Sequence, residues 1–471
     1  MSGRCAWIAS AIVMLATSWA SAEAPIVGGR TPRSIGRAGT GTASDDGAGA
    51  LLVNPAAIAR RDAARIQLGV AFLDDELYYL SSATAPAARD QSSSRLVPIV
   101  GIEGAVGNWL LGAAFITSAR SERQFRRPAR IPANELGNAF QYRYAGLGGS
   151  LRRDTLVVGV ARRVTDGVAI GLSAGASRVA LTESRRLWAG NTSRVDRTTM
   201  LPERAGDPVQ DVEVAFAAAD LFSPTATLGV LVAPGDSRVE LAASVNWSAP
   251  ARVEGEVGAA AVPQMGNMTA PIQPHVASDA SASLELQQPI TLRTGARWLG
   301  ERWIAEVGGD LWIMPRGSAA PRWQIEGVRL TDSTIVGSPR EVTLAELPSR
   351  VSARTHGAIR GALDVELIPG FLWATGGYAF TSGGTARSRL SPTFGDLGGH
   401  TMALGLEANA GGFTVTLGWA RTWSIKEPEP VSRWRLDNPF GSGDAMVPAG
   451  TYDGSTDMIG LSLDAELYAP D

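Results

Sequence analysis

Apolar and polar side chains alternate with a period of two residues along much of this 471-residue chain. In the segment 413–423, for example, Phe413, Val415 and Leu417 share one face, while small or hydroxyl side chains share the other. Such alternation is typical of β-strands with one apolar face. It predicts an all-β fold, but a soluble sandwich of two sheets and a membrane barrel would both produce it.

The lengths of the connections distinguish these two folds. Short turns are predicted at 107–108, 165–167, 234–236, 300–302, 369–370 and 410–412. Long polar segments lie between them, at 118–140, 182–210, 248–277, 315–355, 382–398 and 424–455. Short and long connections alternate strictly, as they do in outer-membrane barrels, which have short periplasmic turns and long extracellular loops.

The remaining segments are about 14 predicted strands, and an even number suits a single-chain barrel with both termini in the periplasm. These strands are 65–80, 95–106, 109–118, 141–164, 167–181, 211–233, 237–249, 278–299, 302–314, 356–368, 371–381, 399–409, 412–423 and 456–468. Residues 278–299 are taken as one strand with a bulge or bend at Pro289. A split at this proline would place the segment 315–355 on the periplasmic side.

Aromatic side chains are concentrated at the ends of the predicted strands. They are Trp109, Trp298, Trp303, Phe371 and Trp373 at periplasmic ends, and Trp247, Trp312, Trp419 and Trp423 at outer ends. Two such rings are typical of the interfacial girdles of membrane barrels. Trp312 lies off the apolar face of its strand and supports the outer ring less than the others. Tryptophans that cap an ordinary β-core are the alternative explanation.

Composition and charge narrow the class of protein further. Hydrophobic residues make up 45% of the chain, and its formal net charge of −3 points to neither nucleic acid nor a polybasic membrane surface. Residues 1–22 are predicted to be a cleaved signal peptide, with Arg4 before an apolar core and a small-residue cleavage site at 20–22. The single cysteine, Cys5, lies in this segment, so we expect no disulfide in the mature chain. No later run of about 18 apolar residues predicts a transmembrane helix.

A segment rich in glycine and alanine, 34–59, follows the predicted signal peptide. It reads SIGRAGTGTASDDGAGALLVNPAAIA and contains turn signals at 45–47 and 54–55. A short helix is predicted to begin near Pro55, with the side chain of Asn54 as its cap. Small side chains such as that of Ala56 suit a compact plug that packs closely against a wall.

The order of a glycine-rich segment, an acidic pair, the triplet Asn54-Pro55-Ala56 and a barrel pattern resembles the FadL/TodX family of outer-membrane transporters. The resemblance implies a transmembrane antiparallel β-barrel of about 14 strands with an N-terminal hatch inside it. It divides the chain into a signal peptide at 1–22, a hatch at 23–64 and a barrel at 65–471. The function implied is passive uptake of long-chain fatty acids or hydrocarbons across the outer membrane of a Gram-negative bacterium.

The resemblance also implies which partners to expect. They are a hydrophobic small molecule, outer-membrane lipid and the barrel assembly machinery, and the protein is expected to be a monomer. The assembly machinery usually reads a terminal aromatic residue, whereas this sequence ends in Ala-Pro-Asp after Tyr468. The main alternative is a non-transporting barrel that acts as a structural or secretion-associated partner, with the hatch only as a filler.

The sequence gives little support for an enzyme. His275, His356 and His400 have no metal-ligand neighbours at useful spacing, so no metal site is predicted and the three are interpreted as surface or strand-end residues. A barrel phospholipase would need a serine facing a histidine such as His400, and no motif supports that pair. The glycine runs do not follow a strand and open a helix, as phosphate-binding loops do, so no nucleotide cofactor is expected.

Several charged side chains are predicted to face the barrel interior, where they form a solvated lumen or pair with the plug. A sharper hypothesis is that Arg293, Arg297 or Arg360 binds a substrate carboxylate, because a guanidinium group can donate two parallel hydrogen bonds to it. Arg37 in the hatch could do the same or pair with an interior acid. The resemblance further implies a kink and lateral gap in the strand 109–118, and Gly112 is the candidate position because it has no side chain.

We predict that the protein is recovered in the outer-membrane fraction and that its gel mobility changes on heating. The physical reason is that a closed barrel satisfies its backbone hydrogen bonds internally and resists detergent until it is heated. The measurement is membrane fractionation followed by electrophoresis of unheated and boiled samples. Recovery as a soluble periplasmic protein would contradict the barrel.

Overall fold

A computed structural model describes residues 31–45, 47–60, 63–80, 88–126, 142–190, 208–235, 237–262, 270–315, 318, 320–332, 340–385, 389–425, 437–440 and 450–468. The predicted signal peptide at 1–22 lies outside the described residues. Within these ranges no helix is long and apolar enough to cross a membrane.

The described chain folds into a single sheet of twenty antiparallel strands. Along the chain they are β1 Ala64–Leu80, β2 Ala88–Arg89, β3 Arg95–Val106, β4 Trp109–Gln124, β5 Gly148–Thr165, β6 Val168–Trp188, β7 Asp211–Val232, β8 Val239–Ser248, β9 Ala251–Ala261, β10 Ile272–Leu286, β11 Ile290–Leu299, β12 Trp303–Ile313, β13 Arg322–Asp332, β14 Arg340–Thr343, β15 Glu346–Pro348, β16 His356–Ile368, β17 Leu372–Ser382, β18 Gly398–Ala410, β19 Phe413–Ser424 and β20 Thr451–Tyr468.

Fourteen of these strands close a barrel, namely β1, β3 to β8, β11, β12 and β16 to β20. Each wall strand pairs with the next, and β20 returns to pair with β1 along the whole length of β1. Because the ring closes on itself, most backbone N–H and C=O groups of the wall bond to one another, except along one stretch between β3 and β4 that is described below. The predicted all-β barrel of 14 strands is therefore confirmed.

The six predicted short turns each join two neighbouring wall strands. Several contain a glycine in the left-handed region, for example Gly107 with φ 60° and Gly370 with φ 69°. Tight turns need such angles, and glycine adopts them without a steric penalty. All six turns lie at one end of the barrel, together with the start of β1 and the end of β20.

The long connections contain additional strands. β9, β10 and β13 to β15 fall in or beside the segments 248–277 and 315–355, and they extend the wall beyond the upper part of β7. We call these five strands the outer sheet. Its buried side chains form a hydrophobic core in which Phe216 of β7 stacks on Trp323 with ring centroids 4.5 Å apart.

The prediction of one strand over 278–299 is wrong. The chain leaves the sheet at residues 287–289 and forms two strands, β10 in the outer sheet and β11 in the wall. Pro289 has no N–H group for a strand ladder, which favours a break at this point. The alternation of short and long connections survives because β10 is not a wall strand, so the segment 315–355 stays at the outer end.

The outward faces of the wall strands are apolar. Large side chains such as Phe72 and Leu404 are 52% and 60% exposed, and they point away from the barrel. A soluble sandwich would bury this face, whereas a membrane barrel presents it to lipid. Trp109 and Trp303 lie exposed at the turn end, and Trp247 and Trp423 lie exposed at the other end, as in the two predicted girdles.

Trp312 does not belong to the outer girdle. Its side chain is 7% exposed and faces the barrel interior. The reason is its position in β12, where the outward positions are occupied by Leu311 and Ile313. The alternation of the strand therefore turns Trp312 inward.

Residues 31–45 and 47–60 lie inside the barrel, and we call them the plug. It contains α1 Pro32–Gly36, α2 Ala50–Val53 and a 3₁₀ helix, Pro55–Arg60. Helix α1 begins with Pro32, and the hydroxyl of Thr31 accepts a hydrogen bond from the Ser34 N–H at 3.2 Å. The apolar plug side chains pack against inward residues of the wall.

Inward glycines of the wall provide the space for the plug. A Cβ atom at Gly418 would lie 2.1 Å from the backbone oxygen of Pro32, and one at Gly171 would lie 2.3 Å from the backbone nitrogen of Ala56. No larger residue fits at these positions without displacing the plug backbone. The abundance of glycine in the sequence, 54 residues, has here a specific packing role.

We predict that Gly171→Val displaces the 3₁₀ helix of the plug while the barrel still assembles, because overpacking costs about 1–3 kcal/mol and the wall closes without the plug. The expected result is a higher ion conductance in planar bilayers than that of the wild type. Gly376→Val is the matched control, because a Cβ at Gly376 meets no atom within 4 Å. Equal conductance of all three proteins would contradict a seated plug.

Candidate functional site

The inward side chains of β11, β12 and β16 form three levels from the turn end to the outer end. The lowest level contains Arg297, Glu306 and Asp364, the middle level contains Arg293, Asp310 and Arg360, and the upper level contains Thr291, Trp312 and His356. Arg297 lies directly opposite Glu306, and Arg293 lies directly opposite Asp310. Trp312 lies opposite both Thr291 and His356. Asp364 and Arg360 lie two residues from the positions opposite Glu306 and Asp310, so they are diagonal neighbours of these acids.

The lowest level holds the plug. Arg37, which is 1% exposed, donates to Asp364 and to Glu306 at 2.8 Å each. Glu306 also accepts a hydrogen bond from the N–H of Ala43 at 2.9 Å. Burial of one cation with two carboxylates is tolerated only when each group is paired and hydrogen-bonded. Arg37 therefore connects the plug to the wall.

A second ionic group holds the end of the plug. Arg60 donates two hydrogen bonds to Glu240 of β8, at 2.8 and 2.7 Å, and Arg297 donates to the same carboxylate at 3.2 Å. Neither Arg37 nor Arg297 lines the large cavity described below. Arg37 and Arg297 are two of the four arginines considered as ligands of a substrate carboxylate. Both are engaged in plug attachment, because each is already paired with a carboxylate inside the barrel.

The triplet Asn54-Pro55-Ala56 lies where the plug meets β6 and β7. The side-chain oxygen of Asn54 accepts from the Ala56 N–H at 3.2 Å, and its amide nitrogen donates to Thr42 at 2.9 Å and to Val230 of the wall at 3.3 Å. Pro55 begins the 3₁₀ helix, and the side chain of Ala56 is fully buried. Asn54 both caps the helix and ties it to the plug and the wall.

A cavity occupies the barrel interior above the plug. It contains about 1570 Å³ of empty space, including the part open to solvent. Leu52 and Val53 of the plug form its floor, and residues 395–399 line the opposite side. We call residues 389–398, at the end of the connection from β17 to β18, the cap segment. The cap is fixed in place by Arg123, which donates to the carbonyl of Gly395 at 2.7 Å.

The two upper levels of the inner wall line this cavity. Arg293 donates to the carbonyl of Leu52 at 3.3 Å, and Arg360 lies 3.0 Å from Asp310. Above them, Trp312 and His356 stack with ring centroids 4.3 Å apart and an interplanar angle of 8°. The structure thus brings Arg293 and Arg360 together at the cavity and keeps Arg37 and Arg297 below it.

His356 begins β16, in line with the interpretation as a surface or strand-end residue, but its side chain faces the cavity and not the surface. It is buried, and it shares the inward face of β16 with Arg360 and Asp364. The same two-residue alternation that placed Arg360 inside would have placed His356 inside as well. His400, by contrast, lies on an exposed face, where its Nδ1 is 2.7 Å from the hydroxyl of Tyr378. Among the described residues no cluster of His, Cys, Asp or Glu side chains suits a metal ion.

Arginines outnumber acids in the cavity lining. The lining contains Arg293 and Arg360, which the sequence had indicated, and also Arg123 of β4 and Arg153 of β5, which it had not. The acids of the lining are Asp310 and Asp396. Burial in the cap raises the pKa of Asp396 to about 6, so this carboxyl is still mostly ionised at pH 7. The four arginines nevertheless exceed the two acids. The lining therefore carries a net positive charge beside apolar groups.

The wall is interrupted next to the cavity. The pairing of β3 with β4 ends at Ile99 opposite Ile116, although β3 continues along β1 to Arg95 and β4 continues along β5 to Gln124. The register of β4 shifts between residues 117 and 119, which marks a β-bulge. Ser118 and Ala119 line the cavity, so the cavity extends to this unpaired stretch.

Gly112 lies below the interruption. It pairs with Glu103 of β3 and with Gly159 of β5, in continuous register on both sides. The candidate gap at Gly112 is therefore wrong for this structure, and the irregular residue of this strand is Ser118. Gly112 serves a different purpose, because a Cβ there would lie 3.2 Å from the Leu51 side chain of the plug.

No family model matches the chain, and no curated protein matches it in sequence. Solved structures share its fold. A FadL homologue of Pseudomonas aeruginosa has a TM-score of 0.69 at 14% identity, covering 96% of this chain and 100% of that one. The toluene transporter TodX of P. putida has a TM-score of 0.63 at 14% identity, covering 93% and 98%. The toluene transporter TbuX of Ralstonia pickettii has a TM-score of 0.58 at 14% identity, covering 92% and 97%. The fold implied by the resemblance to the FadL/TodX family is confirmed.

Proposed function

We propose that this chain is an outer-membrane channel for the passive uptake of hydrophobic molecules such as long-chain fatty acids or hydrocarbons. The observation that carries the proposal is the cavity between plug and cap, which extends to the unpaired stretch between β3 and β4. The apolar outward face supports location in a bilayer. Solved structures of the same fold include toluene transporters.

The proposed route avoids the plug. A solute enters from the outer end past the cap segment and rests on the floor formed by Leu52 and Val53. The straight path to the turn end is filled by the plug, which is held by the buried pairs of Arg37 and Arg60. The unpaired stretch beside Ser118 and Ala119 offers a sideways path into the bilayer. A hydrophobic solute gains free energy by that exit, because lipid replaces water around it.

The charges of the cavity favour a solute with an anionic head group. Arg293 lies at the floor and Arg360 lies beside the stacked rings of Trp312 and His356. A carboxylate can accept charge-assisted hydrogen bonds from these guanidinium groups while its chain lies against apolar side chains. A long-chain fatty acid has both parts, whereas a neutral hydrocarbon would use only the apolar surface.

We predict that Arg293→Gln lowers cellular uptake of a labelled long-chain fatty acid by roughly tenfold at low concentration, because it loses one charge-assisted hydrogen bond. Uptake of a neutral aromatic hydrocarbon should change little. Arg302→Gln is the control, because Arg302 is exposed at a turn far from the cavity. All variants are compared at equal amounts in the outer membrane.

The pattern of losses separates the explanations. An equal loss for both solutes would mean that the substitution acts through the plug, which Arg293 contacts at Leu52. If the wild type itself gave no uptake of either solute above the background of cells that lack the protein, transport would be contradicted. That result would favour the alternative function of a structural or secretion-associated partner.

The proposed exit gives a second prediction. Ala119→Trp should reduce uptake of both solutes severalfold, because Ala119 is buried at the cavity beside the unpaired stretch and an indole would fill the path. Ala113→Trp is the matched control, since Ala113 lies on the same strand as Ala119 but pairs with the outward-facing Ile102 of β3 and points to lipid. Normal uptake by the Ala119 variant would contradict an exit at this position.

A further inference from the structure

Three arginines point outward from neighbouring wall strands at the outer edge of the apolar belt. Arg120 of β4 lies directly opposite Arg152 of β5, and Arg178 of β6 lies opposite the adjacent outward residue Asp154. Leu156 and Val158 on the same face of β5 are exposed to the outside, and paired residues share a face, so all three arginines face away from the barrel.

The height of this cluster matches the outer boundary of a membrane. Ten residues of a strand that is tilted by about 40° advance roughly 25 Å along the barrel axis, which is the height of the apolar belt in such proteins. Arg178 lies ten residues beyond Val168, where β6 begins at the turn end. Arg120 lies eleven residues beyond the exposed Trp109, which marks that end on β4.

The charges of the cluster are only partly compensated. Asp154 accepts from Arg152 and from the hydroxyl of Thr117, and Arg120 donates to the carbonyl of Leu96 at 3.1 Å. The side chain of Arg152 remains 40% exposed, and Arg178 is exposed. Like charges directly opposite each other on neighbouring strands are unfavourable, so an anion that bridges them would relieve the repulsion.

Two apolar side chains protrude beside these charges. Leu221 and Phe222 of β7 are 74% and 70% exposed, and they lie in the bulge opposite Arg178. The surface therefore combines cations for an anionic head group with apolar groups for acyl chains. A soluble acidic partner would not need the protruding apolar residues, whereas a lipid would use both.

We propose that Arg120, Arg152 and Arg178 form a binding site for the phosphate groups of a phosphorylated glycolipid in the outer leaflet, with Leu221 and Phe222 against its acyl chains. Arginine suits phosphate because its planar group donates several directed hydrogen bonds. Two phosphates on one lipid can span the pair Arg120–Arg152 and Arg178. This proposal depends on the proposed outer-membrane location but not on transport.

The test is native mass spectrometry of the purified full-length protein in detergent, titrated with a diphosphorylated lipid A-type glycolipid or with its dephosphorylated form. The cluster variant is Arg120→Gln/Arg152→Gln/Arg178→Gln. The matched control, Arg302→Gln/Arg322→Gln/Arg329→Gln, removes three exposed charges elsewhere. We expect the wild type and the control to prefer the diphosphorylated lipid, and the cluster variant to bind it at least about tenfold more weakly.

A single-residue variant, a competition with inorganic phosphate and a folding check accompany the titration. Arg178→Gln alone tests the site without altering the Arg120–Leu96 contact at the wall interruption, and it should lose severalfold in affinity. Inorganic phosphate at millimolar concentration should not displace the glycolipid, because it lacks the acyl chains. Heat-modifiable mobility confirms that each variant is folded.

Each contrary result has a distinct meaning. Equal binding of the dephosphorylated lipid, equal weakening in the control, or unchanged binding by the cluster variant would overturn the glycolipid site. Absence of the wild type from the outer-membrane fraction would instead overturn the proposed location. Uptake by the cluster variant, measured in parallel, tests transport separately and should remain near that of the wild type.

Discussion

The requirement that every backbone N–H and C=O group in a membrane finds a partner shapes this protein more than any other constraint. An open sheet would leave a row of such groups exposed to lipid at a cost of several kcal/mol each. The pairing of β20 with β1 removes both edges at once. Closure also gives the wall two different faces. The outer face is apolar and meets lipid, and the inner face surrounds the plug and the cavity.

The enclosed space is filled by a segment with little core of its own. Small residues bring the plug backbone close to inward glycines, and buried arginines join it to carboxylates of the wall. Ionic contacts of this kind contribute less net stability than apolar packing, because the charges lose their hydration. They do fix position, and losing one partner leaves an unpaired buried charge. The plug is therefore placed specifically inside a barrel that does not need it for closure.

Among the described wall strands, the long departure from regular pairing between β3 and β4 coincides with the cavity. Between β3 and β4 the ladder stops after Ile99 and Ile116, and side chains bridge the edges where backbone bonds end. A protein that only needed a stable wall would gain from continuous pairing there. The proposed exit and the cationic lining give the interruption a use. The proposed glycolipid site lies immediately outside the same stretch.

The sequence alone determined the number of wall strands, the side on which the turns lie and the face that meets lipid, because a two-residue period and alternating connection lengths are local properties. It did not indicate the outer sheet, whose strands lie in or beside the long connections. It also indicated the plug and the cap role of Asn54. Only the tertiary structure decided that Arg37 and Arg297 hold the plug while Arg293 and Arg360 face the cavity, because each arginine pairs with an interior carboxylate that lies far from it in the chain. The split at Pro289 and the position of the wall interruption were likewise undetermined, since which strands pair, and where pairing stops, depends on partners distant in the chain.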